Sequence, residues 1–365
     1  MKQGKARYIA VIMGGTCGER DVSLETGVCV VRNLRTAGHK VLPVCIHPDG
    51  QWEAGGDSGD DPGGWCIGKS SPALEIASDL ASAGIECVFN GLHGPGGEDG
   101  TIQGFLRFVG LPFTGPDVTP AALTMDKALT KAVLMNAGVR TPRGFSFPPA
   151  AAEEPPGTLR AWVEEMSSEM DFPWIVKPNC LGSSVGIELL RSAEELLGQV
   201  EEKERHWRPV SGLCGSGFLI EEVIGGRELT CGVLEIGREG AVALPPIEIR
   251  PVTSEFFDYE AKYTPGATEE ICPAPLDETT SAAVAEMALR VHHLFHCDPL
   301  SRTDMFLDAA GDLVVLEVNT LPGMTATSLI PQSALEAGFN LPDLFDKLTR
   351  HGIARETMRK AAETP

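Results

Sequence analysis

The run Val314-Val315-Leu316-Glu317-Val318-Asn319 constrains the fold more than any other stretch of this chain. It follows Ser301-Arg302-Thr303-Asp304-Met305-Phe306-Leu307 across the polar link Asp308-Ala309-Ala310-Gly311-Asp312. Both runs are rich in apolar and β-branched residues, and the link reads as a hairpin loop. Strand side chains alternate faces, so Arg302 and Asp304 share one face, as do Glu317 and Asn319. Folding the hairpin about Ala310–Gly311 sets Asp304 opposite Glu317 and Arg302 opposite Asn319. Two directly opposed carboxylates destabilise a sheet unless something positive lies between them. Two carboxylates and an amide, with no His or Cys, suit a hard cation that also holds phosphate, which is Mg²⁺. The same residues suit a solvated hairpin face carrying ordinary charges, and the pattern alone leaves both readings open.

Three neighbouring segments bear on that choice. Thr320-Leu321-Pro322-Gly323-Met324-Thr325 ends the strand in a tight loop, where a glycine lets backbone N–H groups approach a ligand. It reads equally as a plain strand exit. Phe172-Pro173-Trp174-Ile175-Val176-Lys177-Pro178 is a strand carrying an inward Lys177, followed by the Gly/Ser turn Gly182-Ser183-Ser184-Val185-Gly186. Such a turn can cradle phosphate in a backbone nest, and a lysine adds a point charge. Gly-Lys-Ser/Thr is missing, so this is not a Walker A loop. A buried lysine needs a partner, whereas a Ser/Gly turn by itself is most often a hairpin. Finally, Phe218 to Ile224, Gly225-Gly226 and Arg227 to Val233 read as strand, turn and strand. Glu221, Glu222, Val223 and Ile224 could present backbone and apolar contacts to an adenine ring, and Glu228 could meet a ribose. An ordinary hairpin with exposed acids fits as well.

The formal net charge of −21 argues against a broad nucleic-acid surface and against adhesion to an anionic membrane. An anionic substrate would have to be held by a few local cations. No run reaches transmembrane length, and the apolar run before Gly14-Gly15 is too short for a signal-peptide core. The ten cysteines include no Cys-x-x-Cys pair, which speaks against zinc or thioredoxin-type chemistry and suits a reducing cytoplasm.

Residues 8–13 read as a buried strand, with a helix from about Ser23 to Ala37 and strands at Val41–His47 and Glu86–Asn90. This spacing implies a small parallel α/β layer. Gly14-Gly15-Thr16 lacks the Gly-x-Gly-x-x-Gly pattern of a dinucleotide site. Residues 48–72, 150–157 and 203–217 read as irregular excursions. Helices at Met125–Ala137 and Leu159–Met170, with the strands after 172, make a small α+β lobe. A larger C-terminal lobe follows from about Gly226.

Lys127, Lys177 with its turn, Glu221 to Glu228, Arg302, Asp304, Glu317 and Asn319 fall in the order of an ATP-grasp site. With them stand Gly14-Gly15-Thr16-Cys17-Gly18-Glu19-Arg20, Leu92-His93-Gly94-Pro95-Gly96-Gly97-Glu98-Asp99-Gly100 and Phe257-Asp258-Tyr259-Glu260-Ala261-Lys262-Tyr263. From Ile9 to about Leu348 the sequence resembles the D-alanine–D-alanine ligase family. The resemblance implies an N-terminal parallel α/β layer followed by a two-lobed ATP-grasp fold, α/β and α+β in class. Units are expected at 1–124, 125–225 and 226–365. It implies ATP-dependent joining of two D-alanine molecules through an acyl phosphate, for peptidoglycan precursor synthesis. The implied cofactors are ATP and Mg²⁺ or Mn²⁺, as two ions on Asp304, Glu317 and Asn319. Lys127 and Lys177 are implied to contact the α- and β-phosphates, Lys262 the transferring group, and Glu221 to Ile224 with Glu228 the nucleoside. Glu19 is implied to pair with the ammonium of the first D-alanine, organised by Ser183 and Tyr263. Arg302 and the Gly323 N–H are implied to hold the oxyanion. Ser328 and Leu329 would receive the second D-alanine, with His93 nearby. A cytoplasmic homodimer is implied as well. The Ala-Lys-Tyr pattern favours an amide over an ester product. D-serine as second substrate and a catalytically silent nucleotide-binding protein stand as alternatives.

Overall fold

The computed structural model describes residues 5–55, 70–147, 158–182, 187–197, 217–236, 240–251 and 268–363. The first apolar run forms β1 (Tyr8–Gly14), buried along almost its whole length. A strand without polar alternation must be covered on both faces. It lies between β2 (Lys40–Ile46) and β4 (Cys87–Asn90), parallel to both, and β3 (Trp52–Ala54) adds an antiparallel edge. The helix α1 (Arg20–Thr36) covers one face, burying Val30, Val31 and Leu34 with Ile9 and Val11. The other face is covered by α2 (Ala73–Ser82) and α3 (Thr101–Phe108), which set Ile76, Leu80, Ile102 and Leu106 against Ala10 and Ile12. The expected parallel layer is present, with α2, α3 and β3 added to it. At its exit Gly14 has φ +91°, and a Cβ there would stand 2.4 Å from the Ile46 carbonyl oxygen. Only glycine fits that turn.

The helix expected over 125–137 is α5 (Lys127–Asn136), and a further helix, α4 (Val118–Met125), precedes it. Asp126 is extended between them, and its carboxylate accepts the Leu129 N–H. An aspartate in that position caps the second helix instead of continuing the first.

A second sheet runs β5 (Gly144–Phe147), β8 (Phe218–Glu222), β6 (Trp174–Pro178), β7 (Glu188–Leu190) in spatial order, antiparallel throughout. The helix α6 (Thr158–Glu169) covers it, with Val163 and Met166 against Trp174 and Val176. The third sheet comprises β9 (Arg227–Leu234), β10 (Val242–Ala243), β11 (Ile247–Pro251), β12 (Thr268–Ile271), β13 (Leu300–Leu307) and β14 (Leu313–Asn319). Its main order is β12-β11-β9-β13-β14. The helix α7 (Glu278–Phe295) covers one face through the helical stripe Val284, Ala288, Val291 and Phe295, packed on Leu229, Cys231, Val233 and Met305. The alternate residues Glu228, Thr230, Arg302 and Asp304 therefore take the opposite face.

After α8 (Leu329–Glu336), α9 (Leu341–Glu363) returns to the first layer and packs on α1 and β4. Phe345 meets Phe89 edge-on at 5.6 Å. Arg355 donates to the Phe113 and Gly115 carbonyls. Cys45 is disulfide-bonded, a departure from the simple picture of scattered thiols. No helix among the described residues is long and apolar enough to cross a membrane.

The β9–β11 pair is held by Arg227, which donates to both oxygens of Glu248 at 3.0 and 2.8 Å, and by Arg250 at 2.8 Å. Hydrogen bonding from Arg227 outweighs burial and, with Arg250, pulls the Glu248 carboxyl from 4.5 down to about 2. A depressed folded-state pKa gives stability that is complete above the unfolded value. It is lost as pH falls from about 4.5 through about 2. Glu248→Gln should therefore melt a few degrees below the parent at neutral pH, and the gap should close below pH 4.5. Melting curves across that range check it. A gap independent of pH would mean that packing, not charge, is lost.

Candidate active site

A cleft of about 660 Å³ opens between the second and third sheets. Its wall is largely apolar, with Ile175, Ile187, Val223, Ile224, Phe306 and Leu316. Charged groups converge in it from both sides: Lys127, Lys177, Glu221, Glu228, Arg302, Asp304 and Glu317. An apolar cleft of this size with a few converging polar groups is the usual form of a small-molecule site.

On the second-sheet side, Lys177 and Glu221 stand on neighbouring strands. The Lys177 Nζ lies 2.6 Å from Glu221 Oε2, and Lys131 on α5 holds Oε1 at 2.7 Å. Burial pushes the Lys177 ammonium down, but Glu221 and then Glu317 outweigh it and hold it above the usual lysine value. Burial would raise Glu221, yet Lys177 and Lys131 keep it ionised below the ordinary carboxylate range. Glu222 points the other way, as strand alternation requires. Its carboxylate accepts from the Arg143 backbone N–H at 2.7 Å and from Arg143 Nε at 2.9 Å.

Across the cleft, the hairpin register is the expected one: Asp304 pairs with Glu317 and Arg302 with Asn319. A β-bulge follows Asp304, so Met305 pairs with Val315 and Leu316 is the extra residue. A bulge twists a strand and re-aims its side chains. Here Leu316 and Glu317 both reach the cleft. Arg302 donates through Nε and Nη2 to the two oxygens of Asp304, at 2.9 and 2.7 Å. Thr230 donates to Asp304 Oδ1 at 2.5 Å and Asn319 Nδ2 to Oδ2 at 2.9 Å. Burial would lower the Arg302 guanidinium, but Asp304 and then Glu317 hold it well above its ordinary value. It is a permanent cation with donors left over for a ligand.

Lys127 begins α5. Its Nζ donates to the Leu181 carbonyl at 2.6 Å and stands 4.0 Å from Glu317 Oε2, so it bridges the two walls. Asn179 sets it there: its carbonyl accepts the Lys127 N–H and its Oδ1 the Ala128 N–H. Asp304, Glu317 and the Asn319 amide oxygen, whose NH₂ is used by Asp304, are the groups that could hold a metal here. Oxygen-only ligands beside fixed cations fit Mg²⁺ shared with phosphate.

Glu19 precedes α1 yet does not cap it. Its carboxylate lies between two glycines instead. A Cβ at Gly94 would stand 2.1 Å from Glu19 Oε2, and one at Gly182 3.0 Å from Oε1. Gly182 borders the cleft, so Glu19 sits at its end. His93 is buried, with Nε2 2.9 Å from Thr26 Oγ1 and Nδ1 3.3 Å from Glu98 Oε1. It lines a small seam with Leu321, Pro322 and Met324, not the large cleft. A Cβ on Gly323 would come within 2.9 Å of Ser328 Oγ, so the loop glycine and that hydroxyl are neighbours. Ser328 accepts the Thr325 N–H at 3.1 Å, and Leu329 reaches the cleft.

Lys127, Lys177, Glu221 to Ile224, Glu228, Arg302, Asp304, Glu317 and Leu329 therefore share one cleft. Glu19, His93, Asn319, Gly323 and Ser328 lie outside its immediate wall. Ser183, Lys262 and Tyr263 fall outside the described residues. Sequence reasoning missed Lys131, Thr230 and Asn179. Lys131 had a signal, since it lies four residues after Lys127 on the same helix face.

The N-terminal D-alanine–D-alanine ligase family model matches residues 8–116 and the C-terminal one residues 141–350. A D-alanine–D-alanine ligase of Desulfotalea psychrophila is 39% identical over 354 residues, 96% of this chain and 97% of its own. The structure of a Bacillus anthracis D-alanine–D-alanine ligase complexed with ATP aligns with TM-score 0.71 at 27% identity, covering 97% of this chain and 100% of its own. The VanG D-Ala:D-Ser ligase of Enterococcus faecalis aligns with TM-score 0.76 at 28% identity, covering 95% and 100%. The chain belongs to the D-alanine–D-alanine ligase family.

Proposed function

We propose that this chain joins two D-alanine molecules, with ATP as the energy source, to make the dipeptide used in cell-wall synthesis. The observation that carries the reading is the register of Arg302 and Asp304 against Asn319 and Glu317, on the wall of a cleft whose far side holds Lys177. A carboxylate is a poor electrophile. Transfer of the γ-phosphoryl group to it makes an acyl phosphate, which a second amine displaces with loss of phosphate. Phosphoryl transfer needs position and charge neutralisation more than covalent help.

In this scheme Lys127 and Lys177 hold the α- and β-phosphates, and Val223 and Ile224 flank the adenine. Glu222 contributes backbone rather than carboxylate, since Arg143 occupies its side chain. Glu228 takes the ribose. Asp304, Glu317 and Asn319 would hold one or two Mg²⁺ or Mn²⁺ ions, which neutralise phosphate charge when bound. Arg302 and the Gly323 N–H stabilise the tetrahedral oxyanion. Glu19 pairs with the first D-alanine ammonium, supported by its fixed position between Gly94 and Gly182. Ser328 takes the second carboxylate, beside Leu329. His93 orders the 93–98 loop through Glu98. The proposal assigns Lys262 to the transferring phosphoryl group, and Ser183 and Tyr263 to the organisation of Glu19. The proposal divides the chain into units 1–124, 125–225 and 226–365. A homodimer in the cytoplasm belongs to the same proposal.

ATP turnover with D-alanine alone tests the reading, with D-serine and D-lactate added as competing acceptors. The D-serine arm answers the likeness to VanG. The dipeptide of D-alanine should dominate. A predominant D-alanyl-D-serine product would move the chain to that second reading, and turnover with neither would remove both.

Glu19→Gln keeps the shape and removes the charge. The Michaelis constant for the first D-alanine should rise by roughly tenfold, as a charge-assisted bond loses one charge. ATP affinity should stay unchanged. Separate titrations of the two substrates check this, and unaltered D-alanine kinetics would leave Glu19 a structural acid.

A further inference from the structure

Lys131 is 8% exposed and lies on α5, one turn beyond Lys127. A buried ammonium must satisfy its three N–H donors. Three acceptors meet them: Glu221 Oε1 at 2.7 Å, Thr141 Oγ1 at 2.9 Å and the Pro142 carbonyl. Lys131 does not reach the cleft wall. Lys177 does, and among the described residues its ammonium meets one acceptor, Glu221 Oε2 at 2.6 Å. The two lysines thus differ in kind. One is saturated and hidden, and the other keeps donors for a ligand.

Charge counting gives the consequence. Two ammoniums on one carboxylate leave a single net positive charge. Without Lys131, Glu221 and Lys177 become a neutral pair, and that wall of the cleft loses its attraction for a polyanion. We infer that Lys131 is a positioning residue for the nucleotide: it holds the inner oxygen of Glu221 and so keeps Lys177 a net cation toward the phosphates. The inference rests on the reading of the cleft as an ATP site. The same contacts also join separate parts of the fold. The helix α5 packs on β14, Thr141 and Pro142 lead into β5, and Glu221 lies near the end of β8. The triad therefore pins the second sheet to the body at the edge of the cleft.

The test is calorimetric binding of ATP and of adenosine to the wild type, K131M, K131Q and K131R. K131Q keeps an amide donor and loses only the charge, so it serves where K131M does not fold. Both neutral variants should bind ATP about tenfold more weakly, the scale of one partly screened charge. Adenosine carries no phosphate, and its affinity should not move. K131R should recover most of the ATP affinity. Unchanged ATP binding in a folded neutral variant overturns the inference. So does an equal loss for ATP and adenosine, or failure of both neutral variants to fold while K131R folds. A wild type that binds no ATP would overturn the ligase reading itself, which is a different result.

Discussion

Arg302→Ala should lower turnover by roughly 10²-fold or more, the usual cost of losing a preorganised oxyanion donor. Arg302 is 9% exposed and held by two hydrogen bonds to Asp304. These fix the plane of the guanidinium, so its remaining N–H donors point the same way in every turnover. Preorganisation of this kind avoids reordering when negative charge develops on the tetrahedral carbon's oxygen. The variant also leaves Asp304 with only the neutral donors Thr230 and Asn319 among the described residues. Metal affinity should not fall, because the guanidinium removed is itself a cation bonded to both oxygens of Asp304. Arg302→Lys separates charge from geometry, because it keeps a charge beside Asp304 but not the two-pronged geometry. It should restore the charge at Asp304 but little of the turnover. If ATP binding collapses in Arg302→Ala and the rate per bound ATP is normal, Arg302 serves the nucleotide instead.

Glu317→Gln should lose on the order of 10²-fold in turnover at ordinary Mg²⁺, with the fold intact, because it weakens a metal ligand and not a packing contact. Glu317 faces Asp304 across the hairpin and stands 4.0 Å from the Lys127 ammonium. In the proposed scheme its charge would serve both a bound cation and the orientation of Lys127. Part of the lost rate should return at high Mg²⁺ as mass action refills the weakened site. A Mg²⁺ titration of the variant and parent reads this. Near-parental turnover at low Mg²⁺ would remove the metal role from the hairpin.

The β13–β14 hairpin was legible because alternation and a short link together leave one register. Asp304 does oppose Glu317. The bulge after Asp304 was not legible, since it depends on how β13 lies between β9 and β14 and no local pattern encodes it. The start of α5 was read two residues early, at Met125, with Asp126 inside the helix instead of capping it. An aspartate there reads as a poor helix interior or as a good cap, and only the Asn179 contact to Ala128 decides. Lys131 and Glu221 lie ninety positions apart. Each is unremarkable alone, and their charge sharing belongs to tertiary packing. Glu19 was placed by its motif, but its confinement between Gly94 and Gly182 comes from three segments meeting in space.

In the proposed reaction one D-alanine carboxylate is activated as an acyl phosphate and taken by the amine of a second. D-alanine labelled with ¹⁸O in its carboxylate, incubated with ATP, Mg²⁺ and the enzyme, tests it directly by mass spectrometry of phosphate and dipeptide. Breaking the carboxyl carbon–oxygen bond of the acyl phosphate must leave one labelled oxygen on the departing phosphate. The expected result is D-alanyl-D-alanine and phosphate in equal amounts, each phosphate carrying one ¹⁸O. Phosphate without label, or phosphate released without dipeptide, would contradict the account.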